Sequence, residues 1–145
     1  MRKRWIAAAL VTAAAAAQAA KEEDLVKYRE HLMESIGGHM NNAVAIVKGE
    51  VPYGDDLPLH ARHLRELAPL VVPAFEARAL SEKSHALPKI WEDWDEFTAR
   101  ARDFEEASAA FAAAVEGGDR ARIARALGDL GDSCKACHDK FTEEH

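Results

Sequence analysis

Along residues 22–48 the inward-reading positions recur in steps of three and four: Leu25/Val26, Arg29, Leu32/Met33, Ile36, Met40, Ala43/Val44 and Val47. That period lines one face of an α-helix. Gly49 ends the helix, and Pro52-Tyr53-Gly54-Asp55 punctuates a loop. A second stripe covers residues 57–72 through Leu57, His60, Leu64, Leu67 and Val71, with Pro69 and Pro73 interrupting its end. Residues 79–87 read as a loop, and Pro88 suits the first turn of a third helix. That helix carries Trp91, Trp94, Phe97, Ala101, Phe104, Ser108, Phe111 and Val115 at near-heptad spacing. Gly117-Gly118-Asp119 closes it and caps a fourth, striped by Ile123, Leu127, Leu130, Cys134, His138 and Phe141. No cluster of β-branched residues bounded by hairpin turns appears. Four amphipathic helices with mostly short connections predict an all-α fold, an antiparallel up-down-up-down four-helix bundle.

The beginning of the chain has a different character. Met1-Arg2-Lys3-Arg4 is basic, Trp5 through Ala17 is apolar and alanine-rich, and Ala17-Gln18-Ala19 offers an A-x-A cleavage site. Residues 1–19 therefore read as a secretory signal peptide, and residues 20–145 as one domain exported to the periplasm. The apolar run is below the length that spans a bilayer. The 145 residues carry a formal charge of −6, and removing Arg2, Lys3 and Arg4 takes this to −9. Such a surface disfavours nucleic acid and anionic membrane and favours partners with a basic docking patch.

Candidate chemistry concentrates near the C-terminus, in Cys134-Lys135-Ala136-Cys137-His138. C-x-x-C-H is the attachment signature of c-type haem, in which two thiols add to the porphyrin vinyl groups and the histidine ligates iron. On a helix, i, i+3 and i+4 share a face, so Cys134, Cys137 and His138 converge on one edge of a ring. A thioredoxin-like motif wants a βαβ context, and a structural zinc site wants further ligands at motif spacing; the sequence offers neither. These are the only two cysteines, and an exported chain is where this attachment takes place.

In an antiparallel bundle the end of the last helix lies beside the start of the first. A sixth iron ligand would then come from the first helix, where the chemically suitable residues are His31, Met33, His39 and Met40. Met33 shares the inward face, whereas His31 sits with Glu30 and Glu34 on the wet side. Met40 lies roughly 10 Å deeper along the axis, with His39 nearly as deep. The plainer reading of Met33 is core filler, the ordinary role of a buried methionine.

The chain resembles the class II c-type cytochromes, the cytochrome c′ family, over residues 22–145. The resemblance rests on Asp24-Leu25-Val26-Lys27-Tyr28-Arg29, Leu32-Met33, Ile36-Gly37-Gly38-His39-Met40, Val47-Lys48-Gly49-Glu50-Val51-Pro52-Tyr53, Pro88-Lys89-Ile90-Trp91 and Ser133-Cys134-Lys135-Ala136-Cys137-His138. It implies one covalent haem c near one end of the bundle. High-spin members leave the distal side open and bind nitric oxide or carbon monoxide; low-spin members place a methionine on the iron at the position of Met33. The resemblance also implies an arginine at the position of Arg29 near a haem propionate, against which the plain alternative is an exposed helix charge.

On that basis the expected function is a one-electron carrier with His138 and Met33 on a low-spin iron, because thioether ligation favours the ferrous state. The alternative is a high-spin protein that binds small gases at an open or displaceable distal site. A third reading is a helical bundle without cofactor. No catalytic constellation is present, so an enzyme is not expected. The partner would be a redox protein, and the oligomer a monomer or homodimer. Phe75 and Trp91 are the aromatic residues expected to line the haem. Gly37-Gly38 suggests close approach of a neighbouring helix or of the ring. His60, His63, His85 and His145 show no ligand spacing and read as surface or satisfied core histidines. The run Glu92-Asp93-Asp95-Glu96 reads as a solvated helix start.

Overall fold

Helix α1 spans Lys3–Val47 in the computed structural model, which describes residues 3–81 and 84–143, with side chains from residue 21 onward. The side chains of the leader expected at 1–19 lie outside the described residues. Among the described residues no helix is long and apolar enough to cross a membrane. The end of α1 is a Schellman turn: Gly49 takes φ +73°, its N–H bonds the Ile46 carbonyl, and the Glu50 N–H bonds the Ala45 carbonyl at 2.9 Å. Glycine adopts this left-handed geometry without Cβ strain.

The second bundle helix is built in three pieces. Helix α2 (Leu57–Leu67) passes through a 3₁₀ turn at Ala68–Leu70 into α3 (Val71–Glu76). Pro69 and Pro73 thus fall in the first turns of new segments, where a missing N–H is tolerated, and the helical path continues past the expected end at 72. The third helix is also divided, in contrast to its single sequence stripe. A short α4 (Lys89–Glu92) ends at Asp93, whose φ −114° and ψ 47° are not helical, and α5 (Trp94–Gly117) begins there. Asp93 serves both pieces: its N–H bonds the Lys89 carbonyl and its own carbonyl receives the Phe97 N–H, both at 2.9 Å. Gly118, at φ +73°, and Asp119 separate α5 from α6 (Arg120–Phe141), with the Asp119 carboxylate accepting the Arg122 N–H at 2.8 Å.

These pieces form an antiparallel up-down-up-down four-helix bundle. Helix α1 packs on α2 and α6, and α5 packs on α2 and α6, closing the ring. Leu64, Phe111 and Leu130 are fully buried at its centre. Ser108 is buried among them, its hydroxyl donating to the Glu105 carbonyl at 2.8 Å, so a polar side chain is accommodated without an orphaned group. The segment before α4 is fastened to the chain end: Leu87 N–H bonds the Phe141 carbonyl at 3.0 Å and Glu143 N–H the His85 carbonyl at 2.9 Å, around a lone bridge between Ala86 and Thr142.

The glycine pair has no close protein neighbour. A Cβ added at Gly37 or Gly38 would meet no protein atom within 4 Å, so the expected close approach of a neighbouring helix is absent. The close pairing of α1 with α6 lies elsewhere, where a Cβ at Gly131 would stand 3.6 Å from the Met40 methyl.

Candidate functional site

A cavity of about 550 Å³ opens at the end of the bundle where the last turns of α6 meet α1. Its walls are largely apolar, drawn from the inward stripes of α1, α3, α4, α5 and α6. Helix α6 contributes Cys134, Cys137 and His138, while α1 contributes Met33 and Arg29. Phe75 of α3 and Phe141 complete much of the interior. Six of the seven residues expected at the site therefore line one cavity.

Trp91, the seventh, does not line it. Its indole N–H donates to the Phe75 carbonyl at 2.8 Å, and the Arg29 guanidinium carbon lies 5.3 Å from its ring centroid. Trp91 therefore supports the wall from behind, because its polar edge and one face already have partners. His138 also departs from expectation, being exposed where the stripe of α6 implied burial. At 3.6 residues per turn, His138 is rotated about 80° from Leu130 whereas Phe141 returns to about 20°. Phe141 accordingly re-enters the core at 1% exposure, and His138 sits on the cavity rim.

Both thiols are partly buried. Burial pushes the Cys137 thiol up to about 11, reinforced by Cys134 and opposed by Arg100; burial likewise raises Cys134, opposed by hydrogen bonding at Ser133. Redox-active cysteines have lowered values, so a thioredoxin-like role does not suit this pair. A zinc site does not suit it either: among the described residues no three His, Cys, Asp or Glu side chains are grouped to hold a metal ion.

Arg29 is neither exposed nor free. It is 3% exposed, donates from Nε to the Ala74 carbonyl and from Nη1 to the Ala79 carbonyl, both at 2.8 Å, and bonds the Ala77 carbonyl through Nη2. The Phe75 ring centroid lies 4.9 Å from its guanidinium carbon. Burial lowers its affinity for the proton, and the three carbonyls and two rings offset the loss of water around the charge. Arg29 thus ties α1 to α3 and to the segment after it. Two of its five N–H groups remain for a further acceptor at the cavity.

The remaining sequence candidates for an iron ligand fall away from the cavity lining. Met40 packs against α6 at Gly131. His39 faces α2, where its Nδ1 is 2.9 Å from His60 Nδ1 and its Nε2 is 3.2 Å from His63 Nδ1. His31 is exposed. The histidine spacing read as uninformative therefore conceals a cluster, while His145 lies outside the described residues. His85, read with the others as a surface or satisfied core histidine, is exposed and also lines the cavity from the segment fastened to the chain end.

The family model described as Cytochrome C′ matches residues 24–142. The chain belongs to the cytochrome c′ family. A cytochrome c′ from Pararhodospirillum photometricum is 36% identical over 125 residues, covering 86% of this chain and all of that protein. Among solved structures, the nitric oxide complex of a variant of cytochrome c prime from Alcaligenes xylosoxidans is similar with a TM-score of 0.77 and 31% identity, covering 85% of this chain and 97% of that one. A carbon monoxide complex of another variant of that protein matches with the same TM-score, identity and coverage.

The family's cofactor is one covalent haem c, and the residues of this chain fit it. The cavity is apolar and within the size range of cofactor sites, both cysteines of the chain stand on its wall, and a histidine follows one residue later on the same helix. Cys134 and Cys137 are the residues that would supply the two thioethers. The buried cation of Arg29 suits a group that carries carboxylates.

Proposed function

We propose that this cytochrome c′ binds a small diatomic gas at its haem, with His138 as the proximal ligand and Met33 as the side chain guarding the distal side. When bound, haem would supply an iron able to hold a small gas molecule or to pass one electron. The chain's residues would do the rest: Cys134 and Cys137 would anchor the ring, Arg29 would offer it a fixed positive charge, and the apolar walls would exclude water. The observation that carries the reading is the presence of Met33 and the Cys134–Cys137–His138 group in one cavity. The gas complexes named for the Alcaligenes xylosoxidans structures support it.

A second reading is favoured by the same methionine. A thioether able to reach the iron would complete six-coordination and make a low-spin one-electron carrier of raised potential. Export to the periplasm, an acidic surface and a partner with a basic patch accompany both readings, as does a monomeric or homodimeric state.

The absorption spectrum of the reduced holoprotein with and without carbon monoxide separates the two. A spectrum that changes with carbon monoxide supports the gas-binding reading, with Met33→Ala binding the gas more readily than wild type. A sharp low-spin spectrum that carbon monoxide leaves unchanged, becoming high-spin only in Met33→Ala, supports the carrier. If wild type and Met33→Ala give identical spectra and gas responses, Met33 has no distal role.

A further inference from the structure

Away from the haem cavity, three histidines from two helices meet in a line. His39 of α1 stands between His60 and His63 of α2, with nitrogen separations of 2.9 and 3.2 Å and ring centroids 5.2 and 4.8 Å apart. All three are half-buried. This is no metal cage, because His39 directs a different ring nitrogen toward each neighbour and the donors do not surround one point.

A line of imidazoles has a defined proton capacity. A neutral ring has one N–H and one acceptor nitrogen, so three neutral rings satisfy both bonds. One added proton is also tolerated, wherever it sits, since a doubly protonated ring donates to a neighbour that still accepts. A second added proton leaves at least one N–H pointing at another N–H across about 3 Å, with two like charges in the cluster. The arrangement therefore closes with zero or one extra proton and opens with two.

We propose that His39, His60 and His63 form a proton-operated clasp between α1 and α2 that releases on acidification. The groups acting electrostatically on His39 are His60 and His63 from α2; α6, which meets α1 at the neighbouring Met40, presents Gly131 there. Burial, then His63 and His60, hold His39 below its ordinary 6.5. A lowered histidine stabilises the fold fully above 6.5, and that contribution fades as pH falls from 6.5 toward the folded value, because the unfolded chain takes the proton first. The clasp joins the helix bearing Met33 and Arg29 to the one leading into Phe75, two elements of the cavity wall.

Denaturant unfolding of the holoprotein between pH 7.5 and 5, for wild type and His39→Gln, tests this. For each proton excluded by the closed clasp, the wild-type unfolding constant rises up to about tenfold per unit fall in pH, more steeply than in the variant. Nuclear magnetic resonance titration of the wild-type rings reads the same property without substitution. His39 should titrate clearly below the ordinary value, its titration coupled to that of the rings it touches. Equal pH slopes in the two proteins, or three rings titrating independently at ordinary values, would overturn the clasp; should His39→Gln fail to fold, the ring titration alone decides.

Discussion

Arg29 shows how much of a residue's role depends on partners far away in sequence. In the sequence it is a charge on an otherwise apolar face, where a place near a haem propionate and an exposed helix charge both stood open. Its acceptors are backbone carbonyls 45–50 residues on, and no side-chain pattern marks them. Replacing Arg29 by methionine keeps an apolar stem but strands the carbonyls of Ala74, Ala77 and Ala79. At about 1–3 kcal/mol for an unsatisfied buried group, and with imperfect additivity, the expected loss is about 3 kcal/mol or more. Arg29→Lys should recover only part of this, because one ammonium cannot reproduce a planar fork spanning three acceptors. Urea unfolding of the holoproteins measures both, and a methionine variant as stable as wild type would refute the clamp.

At the scale of elements, the sequence located the four stripes and most of their ends, because caps are local chemistry. Gly49, Gly118 and Asp119 work as the residue types imply, through left-handed glycines and a carboxylate on a free N–H. Asp119→Ala should therefore lower stability by about 1 kcal/mol, with Asp119→Asn close to wild type; thermal unfolding of the three proteins checks the order. The misread boundaries have a different cause. The break at Asp93 is invisible to periodicity, since Trp91, Trp94 and Phe97 keep helical spacing across it. Tertiary contacts reinforce it: the Asp93 carboxylate meets Lys89 at 2.9 Å and Lys140 of α6 at 3.4 Å, and Lys140 also bonds Glu96. The acidic run read as a solvated helix start is in part the seam joining α4 and α5 to α6.

For the whole molecule, antiparallel topology carried the sequence argument from two ends of the chain to one cavity, since it places the end of α6 beside α1. That logic brought Met33 to Cys134, Cys137 and His138, but it could not find the meeting of His39 with His60 and His63. Two helical registers had to be fixed against each other first, and spacing within one helix holds no such information. Charge is a property of the same scale and leads to a test of the proposed docking preference. With residues 1–19 removed the formal charge is −9, and haem propionates add to it. Electron exchange between the holoprotein and small reagents should then be faster with a cationic reagent than with an anionic one of similar potential at low salt. Raising ionic strength from 0.01 to 1 M, over which the screening length falls from about 30 to about 3 Å, should slow the cationic reaction and speed the anionic one. The two slopes must have opposite sign if the surface near the haem shares the net charge. Stopped-flow rates that rise with salt for the cationic reagent would mean a locally positive approach to the haem, and a partner with an acidic docking patch rather than a basic one.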